Sequence, residues 1–224
     1  MGLPAPALSV TLTMNFTRIL PDQKNAFTLL ELLLVVVFLS ILLGVAAPAI
    51  HGALQASHLK DAANVISNRI SEARQLAISL GVQTEVRLLK QPSLTGSSSR
   101  AVLRKVQVLT LQLGGGDADT AAGQPEFAPV SSPESWSGNV VISDDPDVTS
   151  LCDLEYQRSD GPGGRVAYLS FRFHPDGSTT LPVGKLWYLT VMDQRHVFGP
   201  ALPKNFITLQ IDPSSGRVRQ FQPE

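Results

Sequence analysis

Residues 29–50 form an apolar run broken only by Glu31 and the mildly polar Ser40. As a helix, such a run of 22 residues spans about 33 Å at ~1.5 Å per residue, against a bilayer hydrocarbon core of ~30 Å. Val, Ile, Leu and Phe occupy every face of that helix, so it lacks the single stripe of a soluble amphipathic helix. A helix apolar all round belongs in lipid or inside an assembly. Arg18 and Lys24 precede the run, and no Lys or Arg follows until Lys60. The positive-inside rule then predicts a cytoplasmic N-terminus, a single span of the bacterial inner membrane and a periplasmic C-terminal part.

Three readings of the run compete. A cleaved secretory signal fits the basic start and the small residues Ala46, Ala47 and Ala49, but the run is long for such a signal and Pro48 sits badly for cutting after Ala47. A plain anchor leaves Glu31 unexplained, since a carboxylate near the head of a lipid-facing helix is costly without a partner. The third reading starts from residues 26–37, Ala-Phe-Thr-Leu-Leu-Glu-Leu-Leu-Leu-Val-Val-Val. This stretch resembles the N-terminal signal of type IV prepilins and pseudopilins.

The resemblance implies cleavage between Ala26 and Phe27 by a prepilin peptidase and N-methylation of Phe27. It makes Glu31 the fifth residue of the mature chain and Pro48 the twenty-second, where the family keeps a glutamate and a helix bend. It further implies that Glu31 of one subunit faces the Phe27 amine of a neighbour, a pair that offsets two desolvation costs and sets axial register. The family usually has Gly where Ala26 stands. Residues 1–13 carry no charge, and a start at Met14 would give a leader of 13 residues containing both basic residues.

Beyond Pro48, apolar positions at Leu59, Ala62, Ala63, Ile66, Ile70, Ala73, Ala77 and Leu80 recur at steps of three and four, which predicts one helix stripe ending near Gly81. Pro48, flanked by Gly44 and Gly52, is expected to bend the helix. Alternation and β-branched content predict strands over 82–89, 101–113, 166–173, 185–192, 206–211 and 217–221. Asp176-Gly177 and Ser215-Gly216 supply turn chemistry, and 92–99 and 114–133 read as loops. Arg74-Gln75-Leu76-Ala77-Ile78, Phe173-His174-Pro175-Asp176-Gly177-Ser178 and Ile211-Asp212-Pro213-Ser214-Ser215-Gly216-Arg217-Val218 resemble segments of the H-type minor pseudopilins of type II secretion (the GspH/FimT family). The resemblance covers 26–89 and 169–221 and leaves roughly 94–164 unmatched. The fold it implies is α+β and pilin-like: a long N-terminal helix, transmembrane in its first half, against a C-terminal antiparallel sheet. The expected organisation is a leader over 1–26, a filament-core helix over 27–50, its amphipathic continuation over 51–81 and a β-rich head over 82–224.

No catalytic constellation stands out, and neither metal nor cofactor is expected. His51 and His58 share a helical face at a spacing of seven but read as surface residues. Asp144, Asp145 and Asp147, with Asp153 and Glu155, form an acidic stretch without the ligand spacing of a calcium loop. Cys152 is the one cysteine, so no internal disulfide exists. The near-neutral total, 18 basic against 19 acidic residues, excludes a strongly basic nucleic-acid binder. The distribution is uneven: residues 117–160 hold ten acidic and one basic residue, and 60–105 hold eight basic and three acidic. Arg217 and Arg219 would lie on one face of a strand and are candidate contacts to phosphates or DNA.

The function expected is that of a minor pseudopilin, a non-enzymatic structural subunit of a type II secretion pseudopilus. Its partners would be other pseudopilins, the prepilin peptidase, the inner-membrane platform and the membrane. The alternatives are a type IV pilus minor pilin acting in pilus assembly or DNA uptake, and a secreted or anchored β-domain unrelated to pilins.

Overall fold

The computed structural model describes residues 28–92, 101–112, 126–161, 164–197, 199 and 202–223, and the chain divides into two units, Met1–Ala47 and Pro48–Glu224. In the first unit the described residues open the helix α1 (Leu29–Leu80), and the side chains from Leu29 to Gly44 are exposed.

The expected α+β, pilin-like fold with a transmembrane first half of the helix is corrected. The fold is mostly β, and among the described residues no helix is long and apolar enough to cross a membrane. The balance lies in the strands: beyond Gly81 the chain is given over to ten described strands in one sheet, and alternating apolar and β-branched residues favour that state. Further along α1, Lys60, Asp61, Asn64 and Asn68 give the helix a polar face.

In the second unit, α1 turns a stripe of small residues toward the sheet. Leu59, Ala62, Ala63, Ile66, Ile70, Ala73 and Ala77 are all buried, with four alanines letting the helix axis lie close to the strands. Leu80, expected at the end of the stripe, is exposed: the helix stops there and Gly81 turns the chain at φ 66°. The Thr84 hydroxyl then donates to the carbonyl of Ala73 at 2.7 Å, tying the first strand to the helix.

The described strands are β1 (Thr84–Pro92), β2 (Ala101–Gln112), β3 (Glu126–Pro129), β4 (Glu134–Ser135), β5 (Val140–Ile142), β6 (Gln157–Gly161), β7 (Gly164–Phe173), β8 (Trp187–Asp193), β9 (Phe206–Ile211) and β10 (Val218–Phe221). They form one antiparallel sheet in the order β10-β9-β8-β5-β2-β1-β7-β6, with β3 and β4 also paired to β2. The core lies between α1 and one sheet face, where Val86, Leu88, Val106, Val108, Leu169, Phe171, Phe173, Leu189, Leu209 and Ile211 meet the helix stripe. β9 alternates buried and half-buried residues without exception, as a strand with one covered face should.

Three departures from the expected elements have local causes. β3 lies inside the segment read as a loop over 114–133, because its pairing with β2 at Leu109–Gln112 supplies hydrogen bonds that its composition does not advertise. β8 is buried on both faces, so it lacks the alternation of β9. The segment around Thr149 and Ser150 covers its outer face, with the Thr190 hydroxyl donating to Val148 O at 2.6 Å and Tyr188 N–H donating to Ser150 Oγ at 2.8 Å. β2 carries a bulge: Leu89 faces Lys105 but Lys90 faces Leu103, so Arg104 has no partner on β1.

Candidate functional site

Of the residues expected to act in processing, Ala26 and Phe27 lie outside the described residues. Glu31 is exposed in the first turn of α1. Its backbone N–H donates to the Thr28 hydroxyl at 3.2 Å and lies 3.1 Å from the Thr28 carbonyl. Thr28 and Glu31 therefore stand at the spacing of a capping box, and the carboxylate sits where the positive end of the helix dipole favours it. Among the described residues that carboxylate makes no ion pair. Pro48 lies within α1.

The three head segments named above, far apart in sequence, meet at the end of α1. Gly177 (φ 84°) and Gly216 (φ 65°) both adopt left-handed backbone, the conformation glycine tolerates best. A Cβ on Gly177 would stand 2.9 Å from Ile78 Cδ1 and 3.2 Å from Arg74 Nε. One on Gly216 would fall inside contact distance of the Gly177 carbonyl oxygen and 2.6 Å from Phe173 Cε1. Arg74 Nε donates to the carbonyl of Ser215 at 2.7 Å. The turn is further braced by Asp212, which accepts from Ser214 N–H at 3.0 Å and Ser215 Oγ at 2.8 Å. The Ser215 hydroxyl, then the Ser214 N–H and the charge of Arg219, hold the Asp212 carboxyl below its ordinary range.

This clasp places the candidate arginines. Arg217 and Arg219 are both exposed, and although β10 begins only at Val218, both line one pocket of about 160 Å³. Lys185 and Asp212 line it too. Lys185 carries no local sequence signal for this role. It arrives through the pairing of β8 with β9, which brings Trp187 opposite Ile211. Lys185 is also engaged with Asp153 and lies 4.7 Å from the Trp187 ring centroid.

A second concavity, of about 350 Å³, lies where α1 meets the start of β5 and the end of β8. Its walls include Gln55, His58, Gly138, Asn139, Asp193 and Arg195. Asp193 is nearly buried, and both its oxygens are occupied. Oδ1 accepts from the Arg195 backbone N–H at 2.8 Å and Nε at 3.1 Å, and Oδ2 accepts from Arg195 Nη2 at 3.1 Å and Gln55 Nε2 at 2.5 Å. Burial opposes its ionisation, but the hydrogen bonds and charge of Arg195 outweigh it, and the carboxyl titrates below its ordinary 3.8.

A carboxyl depressed in the folded state contributes stability above its unfolded pKa of about 3.9 and loses it as pH falls through the folded value. Asp193→Asn is therefore expected to destabilise the head by about 1–2 kcal/mol above pH 5. The difference from wild type should shrink as pH falls below the ordinary carboxylate range, and urea unfolding at several pH values measures it.

The remaining candidates are held by structural partners. His58 Nδ1 lies 3.2 Å from Ser137 Oγ, and His174 Nδ1 lies 3.4 Å from Gln83 Nε2. Asp144 pairs with Lys90 at 3.3 Å, so the oppositely charged stretches meet at that point within one head. Cys152 is half-buried near Tyr156, and burial pushes its thiol up to about 11, which keeps it protonated at neutral pH. Among the described residues no group of three or more His, Cys, Asp or Glu side chains gathers as a metal site would require. No family model, curated protein or solved structure matches the chain.

Proposed function

We propose that the chain is a structural, non-enzymatic subunit of a type II secretion pseudopilus, a minor pseudopilin of the H type that supports protein export across the outer membrane. The observation that carries this reading is the meeting of the three head segments at Arg74, Gly177 and Gly216. Segments that resemble one family by chance have no reason to pack on one another. A basic leader, the Ala26-Phe27 bond and Glu31 at the fifth mature position add support from the sequence. The partners of such a subunit are the other pseudopilins, the prepilin peptidase and the inner-membrane platform, and its setting is the bacterial inner membrane and periplasm.

The test is the N-terminus of the protein extracted from its native cells, read by mass spectrometry. A chain beginning at N-methylated Phe27 is expected. One beginning near Ile50, or still carrying Arg18 and Lys24, would remove the pseudopilus reading. In the same cells Glu31→Ala should leave the protein present but reduce its recovery in sheared filaments severely, because the Phe27 amine of a neighbour would lose its counter-charge.

A second reading, a type IV pilus minor pilin acting in pilus assembly or DNA uptake, is favoured by Lys185, Arg217 and Arg219 around one pocket. Affinity for double-stranded DNA that disappears in the Arg217→Ala/Arg219→Ala variant would select it, since each lost phosphate contact lowers affinity and flattens the salt dependence.

A further inference from the structure

Val86 and Leu88 of β1 belong to the core beneath α1, so the alternating residues Glu85 and Arg87 lie on the other face of the sheet. Glu85 is only 1% exposed, between Leu109 of β2 and Arg172 of β7. Two arginines share its carboxylate: Arg87 Nε donates to Oε1 at 2.6 Å, and Arg172 Nε donates to Oε2 at 3.0 Å. Each guanidinium is also held against an aromatic ring. Arg87 Cζ lies 4.6 Å from the Tyr168 ring centroid, and Arg172 Cζ lies 4.5 Å from that of Phe127. The Tyr168 hydroxyl in turn donates to Gln157 Oε1 at 2.9 Å, which fixes its ring.

One arginine would neutralise Glu85; the second leaves a positive charge. Lys105 adds another on the same face, since it stands on β2 two residues from Gln107, the cross-strand neighbour of Arg87. Among the described residues Lys105 makes no ion pair, and the Nη groups of Arg87 and Arg172 have no hydrogen-bond partner. The two guanidinium groups are therefore fixed through Nε and through one flat face, while their Nη edges stay unused on side chains 19% and 44% exposed. Donors ordered in advance spare a ligand the cost of ordering them. We propose that Arg87 and Arg172, aligned by Glu85, form a binding site for a phosphate group, with Lys105 supplying the remaining charge. Three cations against one carboxylate leave two positive charges, which suits a phosphate of about −1.5 to −2 better than a single carboxylate. Its tetrahedral oxygens can also accept from two guanidinium groups at once. None of these residues lines the pocket of Arg217 and Arg219. The inference does not depend on the pseudopilus reading.

The test titrates inorganic phosphate into the full chain at constant ionic strength and follows the Nε–H signals of Arg87 and Arg172 by NMR. Saturable shifts of both signals are expected, with none from acetate at the same concentration. Arg172→Gln leaves Glu85 paired with Arg87 but removes one guanidinium, so phosphate affinity should fall by about tenfold or more. Arg172→Lys keeps the charge and loses the fork of donors, so it should recover only part of that loss. The shifts should persist in the Arg217→Ala/Arg219→Ala variant. Absence of saturable shifts in the wild type, equal affinity in Arg172→Gln, or equal shifts with acetate would overturn the proposal. Should Arg172→Gln fail to fold, Lys105→Gln decides in its place, and undiminished phosphate affinity there overturns the proposal. Flotation with phosphatidylglycerol vesicles separates the two sources of the group. Flotation reduced in Arg172→Gln assigns the site to a lipid headgroup, and equal flotation assigns it to a soluble phosphate.

Discussion

Gly216→Ala is expected to destabilise the head by about 3 kcal/mol or more. The left-handed backbone at φ 65° costs a non-glycine residue about 1–2 kcal/mol. The added methyl would also press on the Gly177 carbonyl and on Phe173 Cε1 at 2.6 Å. The carbonyl belongs to a turn itself pinned between Ile78 and Arg74, so it cannot withdraw without opening the clasp. Relief of such overpacking ordinarily costs a further 1–3 kcal/mol. For a unit of this size the melting temperature should fall by roughly 6–15 °C. Gly81→Ala is the control: it shares the positive φ, at 66°, but a Cβ there meets nothing within 4 Å, so it should lose only the backbone part. Equal losses in the two variants would mean that the clasp contributes nothing beyond its glycines' conformations.

Phe173→Ala is the second large effect, with an expected loss of about 3–5 kcal/mol. Phe173 is fully buried at the end of β7 and meets Phe171 edge-on at 5.6 Å between ring centroids. Its removal leaves a cavity bounded by α1 and by the turn carrying Gly216, and the backbone of that turn is too constrained to collapse into it. Because the ring is one of the two obstacles to a Cβ on Gly216, the double variant Phe173→Ala/Gly216→Ala should cost less than the sum of the singles. A coupling of about 1 kcal/mol or more, read from a double-mutant cycle in urea, is expected. Strict additivity would show that the Gly177 carbonyl alone sets the penalty.

The clasp also fixes the exposed end of the sheet. Arg217 directly follows Gly216 and Arg219 sits on the edge strand β10, so both depend on the turn for their direction. The groove lined by Gln55 and His58 lies elsewhere.

Local pattern determined much of this. The helix stripe from Leu59 to Ala77, the stop at Gly81, and the strands near 82–89, 101–113, 166–173, 185–192, 206–211 and 217–221 were legible because each is a property of neighbouring residues: a period of 3.6, a period of 2, or a glycine after the last apolar turn. Arg217 and Arg219, two apart in sequence, line one pocket. Tertiary structure decided the rest. A membrane span was read from the composition of residues 29–50, whereas among the described residues no helix is long and apolar enough to cross a membrane. β3 and β5 are short, and only their pairing with β2 and β8 makes them strands. Lys185 reaches the arginine pocket through strand pairing. Arg104 looked like one more cation in a basic stretch. A one-residue slip in the register between β1 and β2 buries it, and register is set by which strands meet, which no single segment encodes.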